Sequence, residues 1–121
     1  MRSALLVVAS FAVVACGGSS NNGSPTEAPI NLTSSGLSSS AITIPSGGRV
    51  HFFNMDAVNH QISSSTCPAL DTPVLAPGAD SLGPLLTGPL SCTFSDALNS
   101  APAFNGSVTV NAPGTPGSAG Y

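Results

Sequence analysis

The frequency of proline and glycine is the feature that most limits what this chain can fold into. The sequence of 121 residues contains 13 glycines and 11 prolines, and between residues 30 and 111 one or the other recurs every few positions. Proline removes a helical hydrogen bond and glycine weakens a helix, so this region shows no convincing helical period. Its apolar residues instead occur in short β-branched or alternating runs, which are typical of strands.

The run at residues 49–54 illustrates the strand pattern. Val50 and Phe52 point to one side of such a strand while His51 and Phe53 point to the other, so we expect His51 at the surface. The preceding glycines allow positive φ, which favours a hairpin turn at residues 45–49. The predicted strands are 41–44, 49–54, 60–63, 81–87 and 106–111. With about seven short strands in all, we predict an all-β Greek-key β-sandwich.

The two ends of the chain differ from its middle. Arg2 precedes an apolar run at residues 4–15, which is too short to span a bilayer but has the length of a signal-peptide core. The run ends in Val-Val-Ala-Cys16, which resembles a bacterial lipobox, although an ordinary signal peptide that contains a cysteine is the alternative. We predict a lipoprotein signal peptide (1–15), a flexible tether lipidated at Cys16 (16–29), one domain (30–111) and a disordered tail (112–121). The protein would then be lipid-anchored in the bacterial cell envelope and face the periplasm or the exterior.

Charged residues are scarce, and Arg49 is the only cation after the predicted signal peptide. Nucleic-acid binding requires a basic face, so this function is excluded. A polybasic membrane patch is excluded as well, which leaves the acyl chains as the sole membrane contact. The acidic residues are spread singly, and no G-x-S-x-G, C-x-x-C or H-E-x-x-H motif is present. We therefore predict that the protein is not an enzyme.

Several motifs occur in an informative order. Val50-x-Phe52-x-Asn54 is followed six residues later by His60, Cys92 follows a turn, and Gly106-x-Val108-x-Val110 ends the domain. Over nearly all of residues 42–110 this order resembles the cupredoxins, the plastocyanin-like blue copper proteins. In that family a histidine ligand follows the first motif, and a loop with C-x-x-H and then Met, or a substitute, precedes G-x-V-x-V. The resemblance implies that His60 matches the first histidine ligand and that Cys92 matches the thiolate ligand.

The same resemblance identifies ligand positions that have been lost. It places Ser95 at the second histidine and Phe104 at the axial methionine. A blue-copper centre needs two imidazoles and one thiolate, while the axial ligand is dispensable. Because a serine hydroxyl is a poor copper ligand, we expect no electron transfer through blue copper. His60 is then either a hydrogen-bonded histidine at the rim of the former pocket or a residual metal ligand.

The cysteines leave two possibilities open. If Cys16 carries lipid, Cys67 and Cys92 are the remaining thiols, and an oxidising envelope favours a disulfide between them. Closing a loop of about 26 residues would stabilise the fold by roughly 3–3.5 kcal/mol. An extended strand would carry Cys67 up to about 23 Å from His60, so the disulfide requires the chain to turn back at residues 63–68. The alternative is a reduced pair that forms a site for Cu(I) or Zn(II) with His60.

Two functions follow from these alternatives. The first is a copper-free binding or accessory domain, descended from a blue-copper electron carrier, that holds no cofactor and acts with an unknown protein or redox partner. The second is an envelope copper or zinc protein, for binding or electron transfer, that uses His60 and Cys92, with or without Cys67.

Overall fold

Two four-stranded β-sheets pack face to face in the computed structural model of the protein, which describes residues 25–114. The strands are β1 (Glu27–Thr33), β2 (Gly36–Leu37), β3 (Ala41–Ile44), β4 (Arg49–Asn54), β5 (Ile62–Ser63), β6 (Asp80–Leu82), β7 (Leu90–Asp96) and β8 (Gly106–Val110). Two short 3-10 helices, Pro68–Leu70 and Pro102–Phe104, are the only helical segments within this range. The predicted all-β sandwich is confirmed.

Each sheet contains one parallel pair of strands. The first sheet has the order β2-β1-β4-β6, with β1 parallel to β4. The second has the order β3-β8-β7-β5, with β3 parallel to β8 and β7 antiparallel to both of its neighbours. Because β3 and β4 lie in different sheets, residues 45–48 form a crossing between sheets and the predicted hairpin is wrong. Gly47 in this crossing does have a φ of +93°, a conformation that favours glycine.

The core lies between the sheets and follows from the alternation of side chains along the strands. In β4, Val50 and Phe52 are buried while His51 and Phe53 are partly exposed, as predicted. In β7 the same alternation buries Cys92 and Phe94. Gly106 opposes Phe94 in the neighbouring strand, and a Cβ at this position would overlap the Phe94 ring. Glycine at the start of β8 therefore allows the aromatic ring to occupy the core.

Strands β1 and β7 differ from the sequence prediction. β1 begins at Glu27, three residues before the predicted start of the domain at residue 30, and the Glu27 carboxylate lies 3.6 Å from the Arg49 guanidinium of β4. Pro29 lies inside this strand, and a proline within a run weakens the sequence signal for a strand. β7 occupies the segment in which the resemblance placed a ligand loop. Serine and threonine at its exposed positions give this strand the composition of a loop.

The predicted disulfide between Cys67 and Cys92 is confirmed. Their Cα atoms are 5.5 Å apart and both residues are buried. The chain turns back after β5, within the expected serine-rich segment. The Ser64 hydroxyl accepts a hydrogen bond from the Cys67 N–H at 2.9 Å and donates one to the Thr93 carbonyl at 2.6 Å. The turn is thereby fastened to β7 next to Cys92.

Residues 1–24 and 115–121 lie outside the described part of the chain. The predicted signal peptide, the lipidation of Cys16 and most of the tether and tail fall there and stay predictions. Among residues 25–114, no helix is long and apolar enough to cross a membrane.

Candidate functional site

His60 lies where the chain that follows β4 reaches the second sheet. Its backbone N–H donates to the Leu75 carbonyl at 3.0 Å, and its carbonyl accepts from the Leu75 N–H at 2.7 Å. The side chain is completely buried, and the Phe104 ring packs on the imidazole with 4.8 Å between ring centroids. A buried imidazole needs hydrogen-bond partners within the protein.

Two carboxylates supply these partners, one at each edge of the ring. The Nδ1 atom of His60 is hydrogen-bonded to Oδ2 of Asp96, and its Nε2 atom lies 2.9 Å from Oδ2 of Asp56. The Asp96 side chain is fully buried at the end of β7, and that of Asp56 is 13% exposed. An ionised carboxylate only accepts, so when both carboxylates are ionised, both ring nitrogens donate and His60 is the doubly protonated imidazolium. We refer to His60, Asp56 and Asp96 as the buried triad.

The second oxygen of each carboxylate binds the backbone of a loop. Oδ1 of Asp96 accepts hydrogen bonds from the N–H groups of Gln61 at 3.0 Å and Leu98 at 2.9 Å. Oδ1 of Asp56 accepts from the N–H of Ala57 at 2.7 Å. The triad therefore holds the loop after β4 and the loop after β7 as well as the histidine.

Asn54, the last residue of β4, extends this network to a third loop. Its side-chain amide donates to the carbonyls of Val58 at 2.8 Å and Leu75 at 2.7 Å, and its oxygen accepts from the Asp56 N–H at 2.8 Å. Asn54 is completely buried. Three loops at one end of the sandwich are thus fixed by buried polar side chains.

The electrostatics of the triad favour its charged form. Burial by itself lowers the pKa of His60, but the hydrogen bonds to Asp96 and Asp56, together with the negative charges of both residues, raise the pKa above its ordinary value of 6.5. The hydrogen bond from His60 lowers the pKa of Asp56 below its ordinary value of 3.8. The same interactions that shift both pKa values therefore favour an imidazolium next to a carboxylate.

Cys92 does not lie beside His60. It pairs with Val108 in the middle of β7, and Asp96 lies four residues further along, a distance of about 13 Å at ordinary strand spacing. The sulfur of Cys92 is bonded to Cys67. The structure therefore does not bring together the set of His60, Cys92 and Cys67, because β7 continues past Cys92 and ends at Asp96.

Of the two positions interpreted as lost ligands, only Phe104 lies against His60. Ser95 precedes Asp96 in β7, and successive side chains of a strand point to opposite faces. Ser95 accordingly lines an open, hydroxyl-rich groove with Ser63 on the outer side of the second sheet. The expectation that Ser95 faces His60 is wrong, because Ser95 is adjacent to Asp96 in the strand and its side chain points to the opposite face.

The sequence did not reveal Asp56 and Asp96 as partners of His60. Asp96 is 36 residues away in the chain, and Asp56, although only four residues away, lies in a loop with no periodic pattern. A signal for Asp96 was available, since it continues the buried positions Cys92 and Phe94 at a spacing of two. A carboxylate on the buried face of a strand requires a partner, and few donors exist in this chain. His60 was therefore the appropriate candidate for the partner of Asp96.

The donor set does not fit a blue-copper centre. Such a centre needs two imidazoles and one thiolate, whereas Cys67 and Cys92 form a disulfide, and His51, the other histidine of the chain, lies on the outer face of the first sheet. The two carboxylates of the triad bind opposite nitrogens of one ring, so they do not converge on a common point. Within residues 25–114, no group of three or more His, Cys, Asp or Glu side chains is arranged to hold a metal ion.

Neither a protein-family model nor a curated protein matches this sequence. Solved structures do match. A purple cupredoxin from Nitrosopumilus maritimus is 22% identical with a TM-score of 0.58, and the match covers 69% of this chain and 99% of that one. A mutant plastocyanin of fern is 17% identical with a TM-score of 0.59, over 69% and 100% of the two chains. A copper-containing nitrite reductase from Thermus scotoductus is 19% identical with a TM-score of 0.62, over 83% of this chain and 25% of the enzyme.

These similarities identify the fold. Residues 25–114 form a cupredoxin-like domain, as the order of sequence motifs had indicated. The chemistry of the site depends on its own residues, since one fold carries many functions.

Proposed function

We propose that this protein is a copper-free binding or accessory domain of the bacterial cell envelope, descended from a blue-copper electron carrier. One observation carries the proposal: both ring nitrogens of His60 are bonded to carboxylates, and both thiols of the domain are joined in a disulfide. The imidazole and the thiolate that a copper ion would require are therefore engaged elsewhere. The protein holds no cofactor and catalyses no reaction.

The end of β7 supports a specific account of how the copper ligands were replaced. In the family pattern, C-x-x-H precedes a Met and then G-x-V-x-V. Because β7 ends at Asp96, we align C-x-x-H with Asp96-x-x-Asn99, followed by Phe104 and Gly106-x-Val108-x-Val110. Asp96 then occupies the position of the thiolate, Asn99 that of the second imidazole and Phe104 that of the methionine.

In this account, the second proton of the His60 imidazolium takes the structural role that a metal ion had in the ancestor. The imidazolium of His60 donates to both carboxylates and supplies a positive charge between them. A buried carboxylate without such a partner would be strongly destabilising. The triad thus keeps the loops after β4 and β7 in place without copper.

The alternative function, copper or zinc handling by His60, Cys92 and Cys67, has no supporting observation. It would require reduction of the disulfide and release of His60 from both carboxylates. It would also require Cys92 to move by about 13 Å along the strand direction.

We further propose that the domain is exported and held at a membrane by lipid on Cys16. The support is the lipobox-like sequence at residues 13–16 and the absence of lysine from the sequence, which leaves no basic patch for electrostatic attachment. Its partner is then another protein of the envelope.

A copper titration combined with a thiol count tests the proposal. Purified protein mixed with Cu(II) should stay colourless and retain no stoichiometric metal after desalting, and the denatured mature protein should contain no free thiol. An intense blue thiolate-to-copper absorption band, or two free thiols, would contradict it.

A reversal experiment tests the account of the lost ligands. We expect the double variant Asp96→Cys, Asn99→His to gain copper affinity and thiolate-to-copper colour. Asp96 faces Nδ1 of His60, so its replacement provides the thiolate there, and the replacement of Asn99 provides the second imidazole. The matched control, Ser95→His with Cys67→Ser, should gain neither, since Ser95 points away from His60. Colour in the control alone would show that the alignment at Asp96 is incorrect.

A further inference from the structure

An open groove lies on the outer face of the second sheet. The side chains of β7 and β8 that face away from the core form its floor, with the turn after β5 on one side and the residue before β3 on the other. Its volume is about 570 Å³, within the range of small-molecule sites, which is about 300–1,000 Å³. We refer to it as the hydroxyl groove, and its polar side chains are those of Asn105, Thr93 and the serines at 40, 63, 65, 95 and 107.

The strand register arranges these side chains in two rows. Ser63 of β5 pairs with Ser95 of β7, and the register of β7 with β8 brings Asn105 next to Ser95. Thr93 pairs with Ser107 in the second row. Neighbours within a row are about 4.8 Å apart, and the rows are about 7 Å apart. Polar groups therefore recur at short intervals across the floor of the groove.

The polar side chains of the groove are hardly used by the fold itself. Within residues 25–114, none of them except that of Thr93 is hydrogen-bonded to the protein. The neighbouring hydroxyls of Ser64 and Thr66, by contrast, both bind the Thr93 backbone. A serine hydroxyl both donates and accepts, and an asparagine amide does the same through two atoms. The groove thus offers donors and acceptors to a ligand.

Both sides of the groove are fixed to its floor. The Thr66 hydroxyl accepts a hydrogen bond from the Thr93 N–H at 2.8 Å, and the disulfide holds the same turn against β7. On the other side, the Ser107 N–H donates to the Ser40 carbonyl at 2.9 Å. A site that is ordered before binding loses little conformational entropy when a ligand arrives. The hydroxyl groove is therefore prepared for binding.

The charge of the groove restricts the class of ligand. No charged side chain of residues 25–114 lines it. Asp71 accepts from the Ser64 N–H at 2.7 Å, and the Ile62 N–H binds the Thr72 hydroxyl. These two N–H groups point to the edge of β5 that faces away from β7, so the Asp71 carboxylate lies outside the groove.

Three classes of ligand do not match such a surface. An anion would find no cation in the groove, and a metal ion or an organic cation would find no carboxylate. An apolar ligand would displace water from the hydroxyls without replacing its hydrogen bonds, which is costly. An uncharged ligand with many hydroxyl groups remains, and because the groove is open, a segment of a longer chain can lie in it.

We infer that the hydroxyl groove binds a segment of an uncharged polysaccharide, with Ser95, Asn105 and Ser107 donating to and accepting from the sugar hydroxyls. This inference goes beyond the proposed function, because it assigns a ligand to a face of the domain that the buried triad does not reach.

An NMR titration of the full-length chain tests this site, in a detergent that contains no sugar. The probes are cellotetraose, maltotetraose and chitotetraose, and tetragalacturonate is the charged control of equal length. We expect an uncharged probe to shift the amide signals of residues 63–65, 93–95 and 105–107, which line or flank the groove. Tetragalacturonate should shift none of them. No shift with any uncharged probe, shifts confined to other residues, or shifts with tetragalacturonate alone overturns the inference.

Alanine variants measure the contribution of single side chains. Ser95→Ala, Asn105→Ala and Ser107→Ala should each weaken binding of the uncharged probe about fivefold, the typical net value of one hydrogen bond. Thr109→Ala is the matched control, because Thr109 is exposed on the same face of β8 but does not line the groove. It should change the affinity less than about twofold, since it removes no hydrogen bond to the ligand. Equal loss in all four variants overturns the inference.

Salt provides a further readout. Because no charged group takes part, the affinity for the uncharged probe should be the same at low salt and at about 1 M NaCl. An affinity that falls as salt rises would show that charges hold the ligand, and would overturn the inference.

The two proposals fail independently, because the groove and the buried triad lie on opposite faces of β7. A copper titration that stays colourless while no saccharide binds removes the ligand of the groove and leaves the copper-free site. A blue copper band removes the proposed function, whatever the saccharides show.

Discussion

Both histidines of the chain lie between two carboxylates, but one cluster is buried and the other is on the surface of a sheet. The Nε2 atom of His51 lies 2.6 Å from Oδ2 of Asp80, and its Nδ1 atom lies 3.4 Å from Oε1 of Glu27. The side chains of these two acids are 53% and 43% exposed, so water solvates the carboxylates as well. In the buried triad, the histidine and the carboxylate of Asp96 have no access to solvent.

The difference shows that burial and connectivity, more than the constellation itself, determine what such a cluster contributes. His51 joins β1, β4 and β6, which backbone hydrogen bonds already connect, and its ring also stacks on Phe53 at 4.0 Å. The triad joins the loop after β4, from the first sheet, to the end of β7, in the second sheet. Exposed ion pairs contribute little, whereas a buried charge that loses its partner is strongly destabilising.

The largest difference is expected from removing each imidazole. His60→Ala leaves the buried Asp96 and the partly buried Asp56 without their donor, and we expect a loss of about 3–5 kcal/mol in the free energy of unfolding. His51→Ala removes only exposed pairs and a ring contact, so we expect a loss of about 1 kcal/mol or less. Urea unfolding of the chain without its first 16 residues measures both values.

His60→Gln provides a second variant in case His60→Ala does not fold. Its amide can donate to one carboxylate, and the loss should lie between the other two values. If His51→Ala and His60→Ala destabilised the protein equally, the buried triad would have no special role.

Strands with an ordinary pattern were predictable from the sequence. The bounds predicted for β3 and β4 agree with the structure, because both strands are rich in β-branched and aromatic residues and a Pro-Ser-Gly-Gly segment separates them. β1 and β7 were not among the predicted strands, since proline in the first and serine with threonine in the second weaken the strand signal. The fold still followed from the motifs, because these lie in the strands with the clearest alternation.

The site was predictable only in part. His60 was found from its spacing after Asn54, and the disulfide from the number of cysteines. The end of β7 was predicted incorrectly from the sequence. Cys92 matched a ligand that follows a strand, so the end of the strand was placed four residues too early. A one-residue difference also reverses the face of a side chain, as it did for Ser95. The pairing of His60 with Asp96 depends on a tertiary contact between segments 36 residues apart, and the spacing along β7 indicates only that Asp96 is buried.

The effect of pH on stability should be smaller and should isolate the triad. The folded pKa of His60 is raised, so its contribution is fully present below 6.5 and is lost as pH rises through the folded pKa. The folded pKa of Asp56 is lowered, so its contribution is present above 3.8 and is lost as pH falls through the folded pKa. The contributions of both residues are therefore complete between these two values.

Urea unfolding from pH 4 to pH 9 measures this dependence. The difference in stability between the wild-type protein and His60→Gln should decrease above pH 6.5, by at most about 1.4 kcal/mol per pH unit for one proton. A difference that rises with pH would mean that His60 is neutral in the folded protein and that a carboxyl group carries the proton.

Salt should have the smallest effect and should act mainly on the surface cluster. At 1 M ionic strength the Debye length is about 3 Å, so exposed charges are strongly screened. A buried ion pair is screened much less. The difference in the free energy of unfolding between the wild-type protein and His51→Gln should fall from about 0.5 kcal/mol at low salt to near zero at about 1 M NaCl. The difference for His60→Gln should change much less over the same range, because the His60 ring and the Asp96 carboxylate have no access to solvent. Equal salt dependence in the two variants would indicate that water and ions reach His60, and the buried triad would then contribute no more than the surface cluster.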